Sequence, residues 1–329
     1  MPVQTFTSLG PGLANVDASD MQSVVDTQLM ADGRAIRVWG FSNSAGAAFN
    51  NDPNRLCPGP VIEAVEGQPM TIALRSQLPH TLHLHGLDVD QANDGAPITS
   101  GFVSQMDPEA PGTPPSSRIL KPPGVWLGNP FEYQFVAPHA GTYMYHCHVD
   151  TVLHTEMGMA GTIIVRPPSG SKNELWAGGH IFKREYIWQL HTFDSTWHEA
   201  ALATGSSTLR YSPDYFMVNG RDGTDILTDP TASIEGYEGE DIVIRLVNLG
   251  YQPALVKLGD ILFDIVASDG RPLKQLFIDL TPEILVAPGE RYDIMFKMPP
   301  TGINIASVQY LDIQGRNILG TASPAITSL

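Results

Sequence analysis

Apolar and polar residues alternate along several short segments of the chain, beginning at residue 35. Ala35–Phe41 alternates as expected for a β-strand with one buried face, and strand-like runs follow at Val61–Val65, Pro69–Arg75 and His80–Leu87. Gly161–Arg166 is a further run of this kind. No apolar run approaches the roughly 18 residues of a membrane span. The pattern therefore predicts a soluble, mostly β-stranded protein.

Two segments lack this alternation. Residues 1–33 show little apolar periodicity, and we expect them to form an arm over the surface or over a neighbouring subunit. Asp88–Pro130 is rich in Pro and Gly and is longer than a compact domain needs for a connection. We expect this second segment to shape a rim or a subunit contact.

The strand-like pattern occurs twice along the chain. Ile62–Gly67 is echoed by Ile234–Gly239, and Thr71–Arg75 is echoed by Val243–Val247. Such internal repetition is typical of duplicated β-sandwich units. It predicts two domains of similar construction.

A linker, PPSGSKNE, follows Arg166 and separates the two halves. We therefore expect an N-terminal arm at residues 1–33, a first domain at residues 34–172 and a second domain at residues 173–329. With 329 residues, the chain is long enough for each domain to bury its own core.

The chain is acidic, with 35 Asp and Glu against 19 Lys and Arg and a formal net charge of -16. This charge disfavours nucleic acid and anionic lipid surfaces, so we expect neither nucleic acid nor a membrane as a partner. A cationic or neutral partner fits better. The only cysteines are Cys57 and Cys147, so no disulfide framework holds the fold.

Gly141–Met159, GTYMYHCHVDTVLHTEMGM, sets a Cys between two His and then a His and a Met at fixed distances. A soft thiolate, two imidazoles and a weak axial thioether form the trigonal site of a blue, electron-transferring copper. We assign three of these ligands to Cys147, His154 and Met159. The second imidazole is His80, at the start of the upstream stretch HTLHLHG.

Four histidines then remain beside these motifs: His83, His85, His146 and His148. Side chains two residues apart on a strand share a face, so His83 and His85 point to one side. The same geometry turns His146 and His148 away from Cys147. We predict a second metal site behind Cys147, reached from the thiolate through only a few covalent bonds.

These motifs resemble those of the multicopper oxidases of the laccase and ascorbate oxidase type, over roughly Arg34 to Tyr310. LHLHGLDVDQANDG resembles the oxygen-site motif of that family, and AGTYMYHCHVDTVLHTEMGM resembles its copper-cysteine motif. The resemblance implies an all-β fold of two cupredoxin-like Greek-key β-sandwich domains. It also implies one-electron oxidation of a substrate coupled to the reduction of oxygen to water.

The resemblance further implies roles for individual residues. The type 1 copper ligands are matched by His80, Cys147, His154 and Met159. The ligands of the type 2 and type 3 coppers are matched by His83, His85, His146 and His148. Asp94, in NDG, matches an acid that relays protons to that cluster, a role that suits a carboxylate near metals.

One departure from the family pattern concerns the second domain. A complete oxygen-reducing cluster draws histidines from two copper-bearing domains, but Tyr251–Leu258, the counterpart of the His80–His85 stretch, contains no His. We therefore expect the second domain to lack the copper motifs. Small two-domain members form trimers with the cluster at a subunit interface, so we expect a homotrimer that completes the type 2 and type 3 copper site.

Two alternatives stay open. In a two-domain copper nitrite reductase, the nearest related family, His85 and His146 would bind type 2 copper with a third ligand from a neighbouring subunit. His83 then stands where those enzymes carry a catalytic Asp, and His148 has no role. The other alternative is a non-catalytic type 1 copper electron-transfer protein. The extra histidines favour the oxidase, with molecular oxygen and a small reducing substrate or a redox protein as partners.

The N-terminal segment bears on where the protein is located. MPVQTFTSLGPGLANVD lacks the regions of a signal peptide, which read literally indicates the cytoplasm. Met1 can equally be a start placed on a mature exported chain, and we expect a periplasmic or secreted protein.

The isolated histidines belong to neither motif. We expect solvated or hydrogen-bonded side chains, rather than ligands, at His139, His180, His191 and His198.

Overall fold

The strands fall into two groups, one from each half of the chain. The structure is a computed structural model, and it describes residues 21–43, 55–76, 79–100, 131–204, 210–274 and 279–329. In these ranges the first group consists of β1 (Met21–Leu29), β2 (Ala35–Asn43), β3 (Ile62–Val65), β4 (Pro69–Arg75), β5 (His83–His85), β6 (Phe131–Val136), β7 (Gly141–His146) and β8 (Ala160–Arg166).

The second group follows a short connection after β8. Its described strands are β9 (Arg184–Phe193), β10 (Tyr215–Val218), β11 (Ile234–Gly236), β12 (Asp241–Asn248), β13 (Ala254–Lys257), β14 (Asp264–Ser268), β15 (Arg271–Pro272), β16 (Glu283–Val286), β17 (Arg291–Lys297), β18 (Gly302–Ile305), β19 (Ser307–Leu311), β20 (Ile318–Ala322) and β21 (Ala325–Ser328). Helix α1 (Thr151–Glu156) belongs to the first half, and α2 (Ser195–Thr204) and a 3-10 turn at Asp225–Leu227 belong to the second. The predicted all-β class is confirmed.

The first group forms two four-stranded sheets, in the orders β2-β1-β4-β6 and β3-β8-β7-β5. The second group forms sheets in the orders β10-β9-β12-β17-β14-β15, β16-β13-β19-β20 and β11-β21-β18. Each group encloses its own apolar core, one around Tyr133 and Tyr145 and the other around Trp188 and Tyr310. The expected division between residues 172 and 173 falls between these cores and stays a prediction.

The two groups repeat the same pairing pattern. β3 pairs in parallel with β8, and β11 pairs in parallel with β21, the last strand of its own half. β4 pairs in parallel with β1, and β12 pairs in parallel with β9. The repeated sequence segments therefore occupy equivalent strands.

The expectation of an arm over residues 1–33 was wrong for residues 21–29, which form β1. This strand pairs with β2 over nine residues, from Met21 opposite Asn43 to Leu29 opposite Ala35. Three consecutive residues in its middle are exposed, so the apolar alternation that marks other strands is absent. Backbone pairing with β2 and β4 holds the strand instead. Residues 1–20 lie outside the described part of the chain.

The expected rim at Asp88–Pro130 lies largely outside the described residues, since 101–130 are not described.

The sequence contains no apolar run of the length that a membrane span needs. Among the residues that the structure describes, no helix is both long enough and apolar enough to cross a membrane.

Buried ion pairs join the two halves. Arg166 of the first half contacts Glu63 beside it and Glu185 of the second half, with Nη1 2.8 Å from Glu185 Oε1. Arg245 donates from Nε to the same oxygen at 2.6 Å and lies 3.2 Å from Asp293. Burial raises the pKa of Glu185, but Arg166 and Arg245 outweigh it and lower that pKa to about 2. The carboxylate is therefore ionised and fixes how the two halves meet.

Candidate metal centres

Three predicted ligand atoms converge in the first half of the chain. Cys147 follows β7 directly, His154 lies on α1, and His80 precedes β5. The Sγ atom of Cys147 lies 3.1 Å from His154 Nδ1 and 3.6 Å from His80 Nδ1, and the two nitrogens are 3.2 Å apart. All three donor atoms therefore face one point, as a shared metal ion requires.

Met159 is the fourth predicted ligand. Its backbone N–H donates to the carbonyl oxygen of His154 and its own carbonyl accepts from the N–H of Cys147, each at 3.0 Å. Its side chain is fully buried in the same core as Cys147. Met157 packs in a different cluster with Leu153. This division favours Met159 over Met157 as the thioether of the site.

Burial sets the charge of these donors. It lowers the pKa of His154 to about 4 and the pKa of His80 well below its ordinary value, so both imidazoles keep a free lone pair at neutral pH. Burial raises the pKa of Cys147 to about 11, so the thiol stays protonated at neutral pH until a metal ion binds the sulfur and displaces the proton to solvent. A thiolate, two imidazoles and a thioether fit copper. The donor set at this position fits that metal.

A second cluster lies on the opposite side of β7. His83 of β5 stands opposite His146 of β7, and ligand atoms of His83, His85 and His146 all lie within 4.8 Å of one another. His85 Nδ1 is 3.2 Å from His146 Nε2. The ring of His148 is centred 5.1 Å from that of His83. The structure thus brings together the four histidines predicted behind Cys147, although their metal ligation stays a prediction.

The charge state of this cluster also suits a metal. Burial lowers the pKa of His146 to about 3. Burial and then the guanidinium of Arg291 lower the pKa of His85 to about 4. The rings of His85 and His146 are therefore neutral at neutral pH and can act as ligands. Arg291 comes from the second half of the chain, and its Nη2 atom lies above Gly86, where a Cβ would collide with it.

Asp94 lies beside the second cluster. His83 Nδ1 donates to the backbone carbonyl of Asp94 at 2.7 Å, which leaves Nε2 of the ring free for a metal. The Asp94 carboxylate is 3.4 Å from the same nitrogen. Gly95 follows with φ +77°, and a Cβ there would meet Leu82 at less than 3 Å, so the turn that carries Asp94 needs glycine.

Several residues near the predicted type 1 ligands were not anticipated from the sequence. The ring of Trp39 meets that of His154 edge-on at 5.2 Å. Glu156 is fully buried behind His154, with Tyr211 and His198 of the second half against it. No short-range sequence signal could have found these contacts, because their partners lie far apart in the chain.

The isolated histidines are not in either cluster. His191 lies with Nδ1 2.8 Å from the carbonyl oxygen of Thr192, and His198 donates from Nδ1 to Arg37 O at 2.5 Å. Both are hydrogen-bonded, as expected, and both are buried. His180 packs against Trp176 with ring centres 5.5 Å apart.

The fold defines a protein of two cupredoxin-like Greek-key β-sandwich domains, as predicted. A solved blue copper oxidase from Nitrosomonas europaea has the same fold, with a TM-score of 0.69 and 23% identity, covering 94% of this chain and 85% of that one. A copper nitrite reductase from the same organism gives a TM-score of 0.64 at 20% identity and covers 96% of this chain and 94% of that one.

Two family models, both described as multicopper oxidase, match residues 41–169 and 188–316. The chain belongs to the multicopper oxidase family, whose members hold type 1, type 2 and type 3 copper. It is 27% identical to laccase-15 of Oryza sativa subsp. japonica over 267 residues, which is 76% of this chain and 39% of the rice protein. The chain spans less than half of the length of the curated relatives it matches.

Proposed function

We propose that the protein is a copper-dependent oxidoreductase of laccase type, which takes single electrons from a reducing substrate and reduces molecular oxygen to water. The observation that supports this most directly is the placement of two separate donor clusters, one that contains Cys147 and one that contains the adjacent His146. An electron carrier needs only the first cluster. The second, a group of four histidines, has no use without an acceptor to bind.

The ligand sets follow from the clusters. We assign the type 1 site to His80, Cys147, His154 and Met159. We assign this chain's share of the type 2 and type 3 sites to His83, His85, His146 and His148. When bound, copper at these positions supplies one-electron transfer at the first site and the reduction of oxygen at the second.

The protein's own residues connect and tune the two sites. Cys147 is covalently joined to His146, and the Nδ1 atom of His146 donates to the Cys147 carbonyl at 3.0 Å. This bond holds the ring of His146 with Nε2 toward His85. The short covalent path gives electrons a direct route between the clusters.

Asp94 supplies protons in this proposal, because oxygen becomes water only if protons arrive with the electrons. Its carboxylate side chain is 32% exposed and lies 3.4 Å from His83 Nδ1, so it contacts both solvent and the histidine cluster. A carboxylate in this position can take a proton from water and pass it inward.

The second cluster is incomplete for a full oxygen site. In the described part of the second half, no further group of metal-ligating side chains accompanies it. We propose that a homotrimer completes the type 2 and type 3 copper site at a subunit interface. The expected mass in solution is that of three chains of 35.7 kDa. An active monomer by light scattering would contradict the trimer.

The partners and location follow the same proposal. The reducing partner is a small molecule or a redox protein, and the net charge of -16 favours a cationic or neutral one. We place the protein in the periplasm or outside the cell. The acceptor is molecular oxygen.

The test is the copper content of the purified protein, with optical and electron paramagnetic resonance spectra of the same sample and its oxygen uptake. We expect a blue type 1 signal, additional copper that is silent in the resonance spectrum, and oxygen uptake with a phenolic donor. A type 1 signal alone without oxygen uptake would identify an electron carrier. A single additional type 2 signal with nitrite turnover would identify a nitrite reductase.

A further inference from the structure

Helix α1 carries His154 and leads into Met159, yet it has little intrinsic stability. It contains six residues, well below the length at which an isolated helix is stable in water. Asp150 at its start has a left-handed backbone with φ 45°, and its side chain makes no capping hydrogen bond. Contacts from outside the helix must therefore hold these two ligands in place.

Glu156, the last residue of α1, makes such contacts. Its side chain is fully buried, although a carboxylate is costly to bury without partners. Oε1 accepts from the backbone N–H of Asp194 at 2.6 Å, and Oε2 accepts from the hydroxyl of Tyr211 at 2.8 Å. Thr192 Oγ1 lies 2.9 Å from the same hydroxyl. Both donors to the carboxylate belong to the second half of the chain.

The first turn of α1 is held from the same side. The hydroxyl of Tyr251 donates to the carbonyl oxygen of Val152 and lies 3.3 Å from that of Thr151. The ring of Tyr251 packs on Tyr211 with centres 5.6 Å apart. The second half of the chain therefore contacts both ends of the helix.

His198 extends these contacts to strand β2. Its Nδ1 atom donates to Arg37 O at 2.5 Å, and its Nε2 atom lies 3.7 Å from Glu156 Oε1. From β2, the N–H of Trp39 donates to Met157 O at 2.8 Å. Strand β2 thus contacts both His198 and the residue that follows α1.

We propose that the second domain, which lacks copper motifs, acts as a clamp that positions the type 1 ligands. The clamp consists of Asp194, His198, Tyr211 and Tyr251 of the second domain. It contacts α1 of the first domain, on which Glu156 is the positioning residue. The inference rests on the proposed copper function, since it assigns His154 and Met159 to a type 1 site. It gives the copper-free domain a direct part in copper chemistry.

The test compares the copper-loaded variants Tyr211→Phe and Glu156→Ala with the copper-loaded wild type. Each variant removes a hydrogen bond that fixes α1, so His154 and Met159 gain freedom relative to Cys147. We expect a changed ratio of the visible copper bands, a changed copper hyperfine splitting and a shifted reduction potential. We also expect type 1 copper affinity to fall by about 10-fold or more, as for other residues that orient ligands. Glu156→Gln keeps an acceptor and should restore most of the wild-type spectrum.

Tyr186→Phe is the matched control. Tyr186 is buried, whereas Tyr211 is partly buried, and the Tyr186 hydroxyl donates to Glu235 O at 2.7 Å, away from α1. Its loss should leave the copper spectrum unchanged. An unaltered copper spectrum and copper affinity in Tyr211→Phe would overturn the proposal. So would a change in Tyr186→Phe as large as that in Tyr211→Phe. Tyr211→Phe decides the question if Glu156→Ala does not fold. A wild-type protein that binds copper without a blue band would contradict the proposed function instead.

Discussion

His146 donates from Nδ1 to the carbonyl oxygen of Cys147 at 3.0 Å, so the backbone of a residue in one donor cluster orients a ring of the other cluster. The two clusters are therefore linked through the peptide unit between His146 and Cys147. Substitutions in one cluster should still leave the other cluster intact, because the donor atoms of the two clusters form separate groups.

Cys147→Ser should abolish the blue colour. The hydroxyl oxygen is a harder and weaker donor than a thiolate, so the charge-transfer band of a copper–thiolate pair is lost. The measurement is the visible spectrum of the copper-loaded variant. Cys57→Ser is the control, because Cys57 is the other buried thiol and lies outside both clusters. Full blue absorbance in Cys147→Ser would refute the type 1 assignment.

Replacement of His83 and His148 by Ala should leave the blue band intact and abolish oxygen uptake. These rings belong to the second cluster, while His80, His154 and Cys147 keep the first. Oxygen electrode traces and visible spectra on the same sample check both parts. His180→Ala serves as control, since its ring packs on Trp176. Undiminished oxygen uptake in the double variant would count against an oxygen site there.

Asp94→Asn should slow oxygen reduction by about 100-fold, the low end for loss of a positioned proton donor. Asn has the same size, and the backbone carbonyl that holds His83 is unchanged, so copper binding should persist. Steady-state kcat under excess substrate is the readout. Asp90→Asn changes a carboxylate of the same loop that bonds Asn93, and it should turn over normally. Equal rates for both variants would remove Asp94 from the mechanism.

His191 should make the fold sensitive to acid. Burial lowers its pKa from 6.5 to about 4, so between these values the unfolded chain binds a proton that the folded chain excludes. The free energy of unfolding should therefore fall as pH decreases from about 6.5 to about 4, by up to about 3 kcal/mol from this group. Above that window the group has no effect.

Urea unfolding at several pH values measures this contribution as the difference between wild type and His191→Gln. The variant should lose less stability on acidification, because Gln does not titrate. Parallel curves for the two proteins across the window would show that His191 is protonated without cost in the folded state.

Arg245→Ala should destabilise the protein by about 3–5 kcal/mol, since it leaves Glu185 and Asp293 buried with fewer partners. Lys297→Ala is the matched control. It breaks a pair with Asp241 in which the lysine side chain is 70% exposed, and about 1 kcal/mol or less is expected. Thermal unfolding of both variants gives the comparison. A similar loss in both would mean that burial does not strengthen the Arg245 network.

The sequence was most informative where chemistry and spacing are local. The Cys147 motif lies within a few residues, so pleat geometry alone separates its two faces. β1 was missed because backbone pairing, rather than apolar alternation, holds it. Glu156 could not be assigned a role, since its partner Tyr211 lies 55 residues away. Arg291 was missed for the same reason, because only the folded chain brings it to His85.

Strand β7 has a further consequence for how the chain can change. Its pleat decides which of His146 and Cys147 faces which cluster, so deletion or insertion of a single residue within it would exchange the two faces. Loops elsewhere can lengthen at little cost. The distance between the two predicted metal positions is therefore set by neighbouring peptide units, so a change of length is tolerated on the surface and not in this strand.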